Sequence, residues 1–158
     1  MLDIVEYIKN NDLEKAKQCI EKDNSLVDTR DEESRFTLLM ICAKTGLTAL
    51  MFACAEKQIE IAKYLIDCGA DVNLRDRPMF SALLYGSLTK EHSIINYLIE
   101  NGADVNAKNF KLVTSLMFAA GIGDLETVKI LIENGADINL KNKDGENALD
   151  IAINKGQK

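Results

Sequence analysis

The chain carries one histidine, His92, and four cysteines, Cys19, Cys42, Cys54 and Cys68. These residue types supply general bases, nucleophiles and soft metal ligands near neutral pH. Their spacing suits none of those roles. The cysteines stand far apart at uneven intervals with no Cys-x-x-Cys pair, and a single histidine does little to complete a zinc set. They read as small apolar side chains, mostly buried and kept reduced. His92 falls between Glu91 and Ser93, at the turn before a helical stretch, and reads as a solvated turn residue. No Gly-x-Gly-x-x-Gly, Gly-Lys-Ser/Thr or Gly-x-Ser-x-Gly string is present. The run Asp137-Ile138-Asn139-Leu140-Lys141-Asn142 opens like a calcium loop, but its fifth place is Lys141, its sixth is not glycine and its twelfth is Ala148. The expectation is a chain without catalytic residues, cofactor or metal.

The carboxylates Asp71, Asp104 and Asp137 recur at one fixed step, the interval between the first two being repeated between the second and third. Each belongs to a string Gly-Ala-Asp-(Val/Ile)-Asn, at Gly69 to Asn73, Gly102 to Asn106 and Gly135 to Asn139. A second string keeps the same step: Thr48-Ala49-Leu50-Met51, Ser81-Ala82-Leu83-Leu84, Thr114-Ser115-Leu116-Met117 and Asn147-Ala148-Leu149-Asp150. Between them runs apolar helical spacing, as in Ile61, Leu65 and Ile66, or Val128, Leu131 and Ile132. Two signals in one register define a repeat. The aspartates then fall in equivalent loops, where loop-capping hydrogen bonds are the expected role.

Each part of the unit has a physical task. Thr48, Ser81 and Thr114 cap a short inner helix by accepting from free backbone N–H groups. The small residues Ala53, Gly86, Ala119 and Ala120 let that helix lie close to its neighbours. A turn such as Gly123-Asp124-Leu125-Glu126 leads into an outer helix, with Asp124 and Glu126 near its positive end. Asn101-Gly102 and Asn134-Gly135 follow helical runs directly, so each glycine reads as a left-handed helix C-cap and not as a hairpin turn.

This unit resembles the ankyrin repeat, a helix pair with a projecting loop in about 33 residues and a Thr-Pro-Leu-His-like start. The start departs from that pattern. Ala49, Ala82, Ser115 and Ala148 stand at the proline, and Met51, Leu84, Met117 and Asp150 at the histidine. The resemblance implies an all-α solenoid of stacked antiparallel helix pairs, a single domain over 1–158. Residues 1–31 form an N-terminal capping repeat (Ile4, Val5 and Ile8, then Leu13, Ala16 and Ile20), 43–75, 76–108 and 109–141 form full repeats, and 142–158 a C-terminal cap. Residues 32–46 form a truncated repeat. The start at Thr37 precedes the next, Thr48, by only a third of a full step, so two thirds of a unit are missing. Three readings stay open there: a true deletion, a docked loop, or sequence lost at Gly46. A deletion would leave Leu39, Met40 and Ile41 uncovered and open to a partner or to self-association.

Bulk composition fits. Of 158 residues 47% are hydrophobic and 28% charged, with one proline and no tryptophan. The net charge of −6 argues against general attraction to nucleic acid or anionic lipid. No run is long and apolar enough for a membrane span, and Met1-Leu2-Asp3-Ile4-Val5-Glu6 carries acids where a secretory signal carries basic residues. No Asn-x-Ser/Thr sequon occurs. A cytoplasmic location is expected.

Function is then expected from a surface. In the ankyrin family partners commonly contact loop tips and the exposed end of the inner helix. Carried onto this chain, that pattern selects Arg75, Arg77, Phe80, Leu88 and Thr89, then Lys108, Phe110, Lys111, Val113 and Ile122, then Lys141, Lys143 and Glu146. Phe80 and Phe110 stand near tips among six basic side chains, an arrangement suited to a protein-binding hot spot. Either phenylalanine exposure, or inward folding to seal adjacent units, fits the residues. The expected activity is non-catalytic binding of another protein, with an acidic and partly apolar segment. The alternatives are a regulatory or inhibitory subunit of a partner enzyme, and a scaffold that self-associates through the truncated repeat.

Overall fold

A computed structural model describes residues 7, 8, 10–22 and 47–157. The truncated repeat, with Thr37, Leu39, Met40, Ile41 and Cys42, lies outside the described residues, as do Ile4 and Val5. Among the described residues every regular element is a helix: α1 (Leu13–Lys22), α2 (Ala49–Ala55), α3 (Ile59–Asp67), α4 (Ala82–Thr89), α5 (His92–Glu100), α6 (Ser115–Ile122), α7 (Leu125–Glu133) and α8 (Ala148–Asn154).

Inner helices begin where a side chain can close the first turn. Thr48, Ser81, Thr114 and Asn147 accept from the backbone N–H of Met51, Leu84, Met117 and Asp150 at 3.2, 3.3, 3.3 and 2.9 Å. Such a cap contributes about 1 kcal/mol. Two of the unusual residues at the start of the unit return the bond. The Thr48 N–H donates to Met51 Sδ at 3.5 Å, and the Asn147 N–H donates to Asp150 Oδ2 at 3.0 Å. A capping box is thus kept without histidine in these two units.

Inner helices α2, α4, α6 and α8 stack in one row and outer helices α3, α5 and α7 in a second, with each of α2, α4 and α6 packed on its own outer partner. Apolar side chains from both rows meet between them: Leu50, Leu83 and Leu116 from the inner row, Ile61, Leu65, Ile95, Leu98 and Leu131 from the outer, all buried. Ile8, Ala16 and Ile20 extend that core at the N-terminal end, where α1 packs on α3. Cys54 is enclosed in it, and burial pushes its thiol up to about 12, so it behaves as an apolar filler. Leu149 on α8 is 67% exposed where its counterpart Leu116 is 2% exposed, because no further unit among the described residues stacks on α8.

Each outer helix ends on a left-handed glycine, Gly69, Gly102 or Gly135, at φ +91, +86 and +88°. This is the C-cap expected from Asn101-Gly102 and Asn134-Gly135. The chain then enters the loop, where Asp71, Asp104 and Asp137 each accept from the backbone N–H two residues on, at 2.8, 3.0 and 2.9 Å. Asparagines tie successive loops together. Asn73 donates to the Gly102 carbonyl at 2.9 Å and accepts from the Asp104 N–H at 2.8 Å. Asn106 repeats both bonds one unit on, to the Gly135 carbonyl and from the Asp137 N–H, at 3.1 and 2.8 Å. The loops are therefore held in register by the same residues that recur in the sequence.

Candidate functional site

Beyond the asparagine ladder the chain makes three tight turns, at residues 76–80, 109–113 and 142–146. Each is organised by its first residue. The N–H of Asp76, Asn109 or Asn142 donates to the carbonyl four residues on, at 3.0, 3.0 and 2.9 Å. The side-chain oxygen of the same residue accepts from the N–H of Phe80, Val113 or Glu146, at 2.6, 3.0 and 2.9 Å. All three organising residues are buried. Neighbouring tips are joined through backbone: the Phe110 N–H donates to the Pro78 carbonyl at 3.2 Å, and the Lys143 N–H to the Lys111 carbonyl at 3.0 Å. The three tips form one continuous edge.

The two phenylalanines have different fates. Phe80 is half-buried, with its ring centroid 5.5 Å from Tyr85 and 5.7 Å from Phe118 in the following unit. It seals adjacent units from beneath the tip. The Tyr85 hydroxyl donates to Asp76 Oδ2 at 2.8 Å, and its pKa is pushed up by burial first and by that carboxylate second. Phe110 instead is 52% exposed, with Lys111 Nζ 5.9 Å from its ring centre.

The basic residues also divide. Arg75 turns along the solenoid toward the next loop, 3.6 Å from Asp104 Oδ2 and 3.5 Å from the Lys108 carbonyl. Lys108 is half-buried, whereas Arg77, Lys111 and Lys143 are exposed on the tips and Lys141 is exposed just before the third. Leu88, near the end of α4, is exposed; Val113 and Ile122 are half-buried, and Val113 packs on the core. The Thr89 hydroxyl donates to the Gly86 carbonyl at 2.9 Å. Glu146 accepts from the side chains of Asn142 and Asn154 at 3.1 and 2.7 Å, which commits its carboxylate to the C-terminal cap.

On the tips, two large exposed apolar side chains escape the sequence reading: Met79 on the first and Leu112 on the second, each 41% exposed. They occupy the fourth place of the turn, which Gly145 holds in the third. That alignment, counted from Asp76, Asn109 and Asn142, is the signal that would have found them.

His92 differs from its sequence reading as a solvated turn residue. It opens α5, and its Nε2 lies 3.1 Å from both oxygens of Asp124, the buried N-cap of α7 in the next unit. Asp124 also accepts from the Thr127 hydroxyl at 2.6 Å. The reason is the repeat: a residue at the start of one outer helix faces the start of the next. Among the described residues no group of three His, Cys, Asp or Glu side chains is placed to hold a metal, and no helix is long and apolar enough to cross a membrane.

Stacked helix pairs, a shared loop edge and a fixed register along the chain define a helical repeat solenoid. A family model of ankyrin repeats in three copies matches residues 4–109, and one of ankyrin repeats in many copies matches residues 98–152. The chain belongs to the ankyrin repeat family. Ankyrin repeats are generally protein–protein interaction modules and are typically non-catalytic. No curated protein matches the chain.

Proposed function

We propose that the chain is a non-catalytic module that binds one partner protein along the edge made by the tips at 76–80, 109–113 and 142–146 and the adjoining ends of the inner helices. The observation that carries this reading is Phe110, an aromatic ring half in solvent on a net acidic protein, set among Arg77, Lys111 and Lys143. A large exposed ring costs free energy in water and contributes strongly once a partner covers it. The cations around it favour a partner segment that carries carboxylates, while the net charge of −6 disfavours polyanions in general.

The test is selection from a displayed random-peptide library, followed by affinity measurements on the selected peptides at rising salt. Peptides rich in Asp, Glu and apolar residues are expected, with binding that weakens as salt rises and is lost in the Lys111→Glu, Lys143→Glu pair. Selected peptides without acidic bias, or affinities indifferent to both salt and charge reversal, would sink the proposed site.

A further inference from the structure

The turn at each tip favours a particular residue at its fourth place. There φ is +68° at Met79, +61° at Leu112 and +80° at Gly145. Glycine enters that region freely, whereas a Cβ crowds the carbonyl oxygen that follows it. Lys57 and Lys90 also take left-handed φ, but with polar side chains suited to water. Met79 and Leu112 combine a disfavoured backbone with large apolar side chains that remain exposed. Folding stability alone would place glycine at both positions, as it does at Gly145.

Phe110 connects them. Its N–H holds the Pro78 carbonyl next to Met79, and Leu112 follows on the same tip. Met79, Phe110 and Leu112 therefore make one apolar strip across two repeats, with exposed Arg77 and Lys111 beside it and Lys143 on the adjoining tip. Against these cations the third tip sets Asp144. Met79 and Leu112 hold equivalent places in successive repeats, about 10 Å apart at normal helix-packing distance. Three residues of an extended polyproline II chain rise about 9 Å, and that conformation returns its side chains to one face every third residue.

We infer that Met79 and Leu112 replace the turn glycine in order to contact a partner, and that the partner is an extended acidic segment with an apolar side chain at every third residue. This rests on the protein-binding reading above and adds to it the contact strip and the spacing of the bound segment. The apolar side chains cover Met79, Phe110 and Leu112 while the intervening carboxylates face Arg77 and Lys111.

The experiment titrates the full chain with synthetic peptides of repeated Leu-Asp-Glu, Leu-Lys-Lys and Ser-Asp-Glu triplets, following methyl NMR signals of Met79 and Leu112. Both methyl sets are expected to shift with the Leu-Asp-Glu peptide and with neither of the others. The Met79→Gly, Leu112→Gly pair is expected to melt about 2–4 °C higher per site and to bind that peptide about tenfold more weakly. Shifts confined to Leu88 and Ile122 would overturn the strip while leaving a protein-binding face in place. A glycine pair that binds as tightly as the natural chain would overturn the role of Met79 and Leu112. No shift at millimolar peptide would overturn the acidic, every-third-residue partner.

Discussion

His92 Nε2 lies 3.1 Å from both carboxylate oxygens of Asp124, so that the start of one outer helix is bonded to the N-cap of the next. Burial works against charge on Asp124, yet hydrogen bonds from Thr127 and His92 more than offset it and hold its carboxyl below the ordinary 3.8. A carboxyl depressed on folding stabilises the protein above its ordinary pKa, and that contribution is lost as pH falls through the folded value.

Thermal melts across acid pH are therefore expected to show a decline beginning near the ordinary carboxyl range, part of which is absent in Asp124→Asn. At neutral pH Asp124→Ala should cost about 0.5–2 kcal/mol, the range for loss of an N-cap. An Asp124→Asn chain with the same acid profile as the natural one would assign the decline to other carboxyls.

The asparagine ladder predicts an asymmetry. Asn106→Ala removes the bonds to the Gly135 carbonyl and from the Asp137 N–H. It is expected to lower stability by about 1 kcal/mol and to speed amide exchange at Asp137. Asn139→Ala, in the last loop of this kind among the described residues, should change both far less. Equal effects at the two positions would show that the ladder contributes through each loop by itself.

Gly86 stands in the interior of α4, where a Cβ would meet Ile95 Cγ1 at 3.5 Å, Ile94 Cγ2 at 3.6 Å and Leu98 Cδ1 at 3.8 Å. These are ordinary van der Waals distances, and Ala53 and Ala119 already occupy the same place in neighbouring units. Gly86→Ala is expected to stabilise by about 0.5–1 kcal/mol through helix propensity, read as a higher denaturant midpoint. Gly86→Leu should destabilise, since its further carbons have no room among Ile94, Ile95 and Leu98.

The two phenylalanines should separate under mutation. Phe80→Ser removes the contacts to Tyr85 and Phe118 and should cost about 2 kcal/mol, visible in urea unfolding. Phe110→Ser should leave the unfolding midpoint nearly unchanged while weakening peptide binding. A large stability loss at Phe110 would mark it as a seal of the solenoid and remove it from the binding edge.

Much of the architecture was legible because stacking units share one set of contacts. Leu50, Leu83 and Leu116 recur once per repeat since each packs in the same row, and Asp71, Asp104 and Asp137 recur since each closes the same turn. Caps and glycine stops are local, set within a single helical turn, so Thr48, Ser81, Thr114 and Gly102 announced themselves. The binding edge was only partly legible. Its basic residues could be named, but Arg75 and Arg77 look alike in sequence although the first reaches Asp104 and the second lies in solvent.

The sequence by itself determined the repeat, its register, the helix pairs and the loop positions, because these depend on periodic burial and on hydrogen bonds between near neighbours. Only the tertiary structure decided that Phe80 packs on Phe118 and Phe110 does not, that His92 meets Asp124, and that Met79 and Leu112 stand exposed on a left-handed backbone. Those outcomes depend on which surfaces successive units bring together, at a separation of about one repeat along the chain. A one-dimensional pattern marks that separation but does not say which way a side chain turns across it.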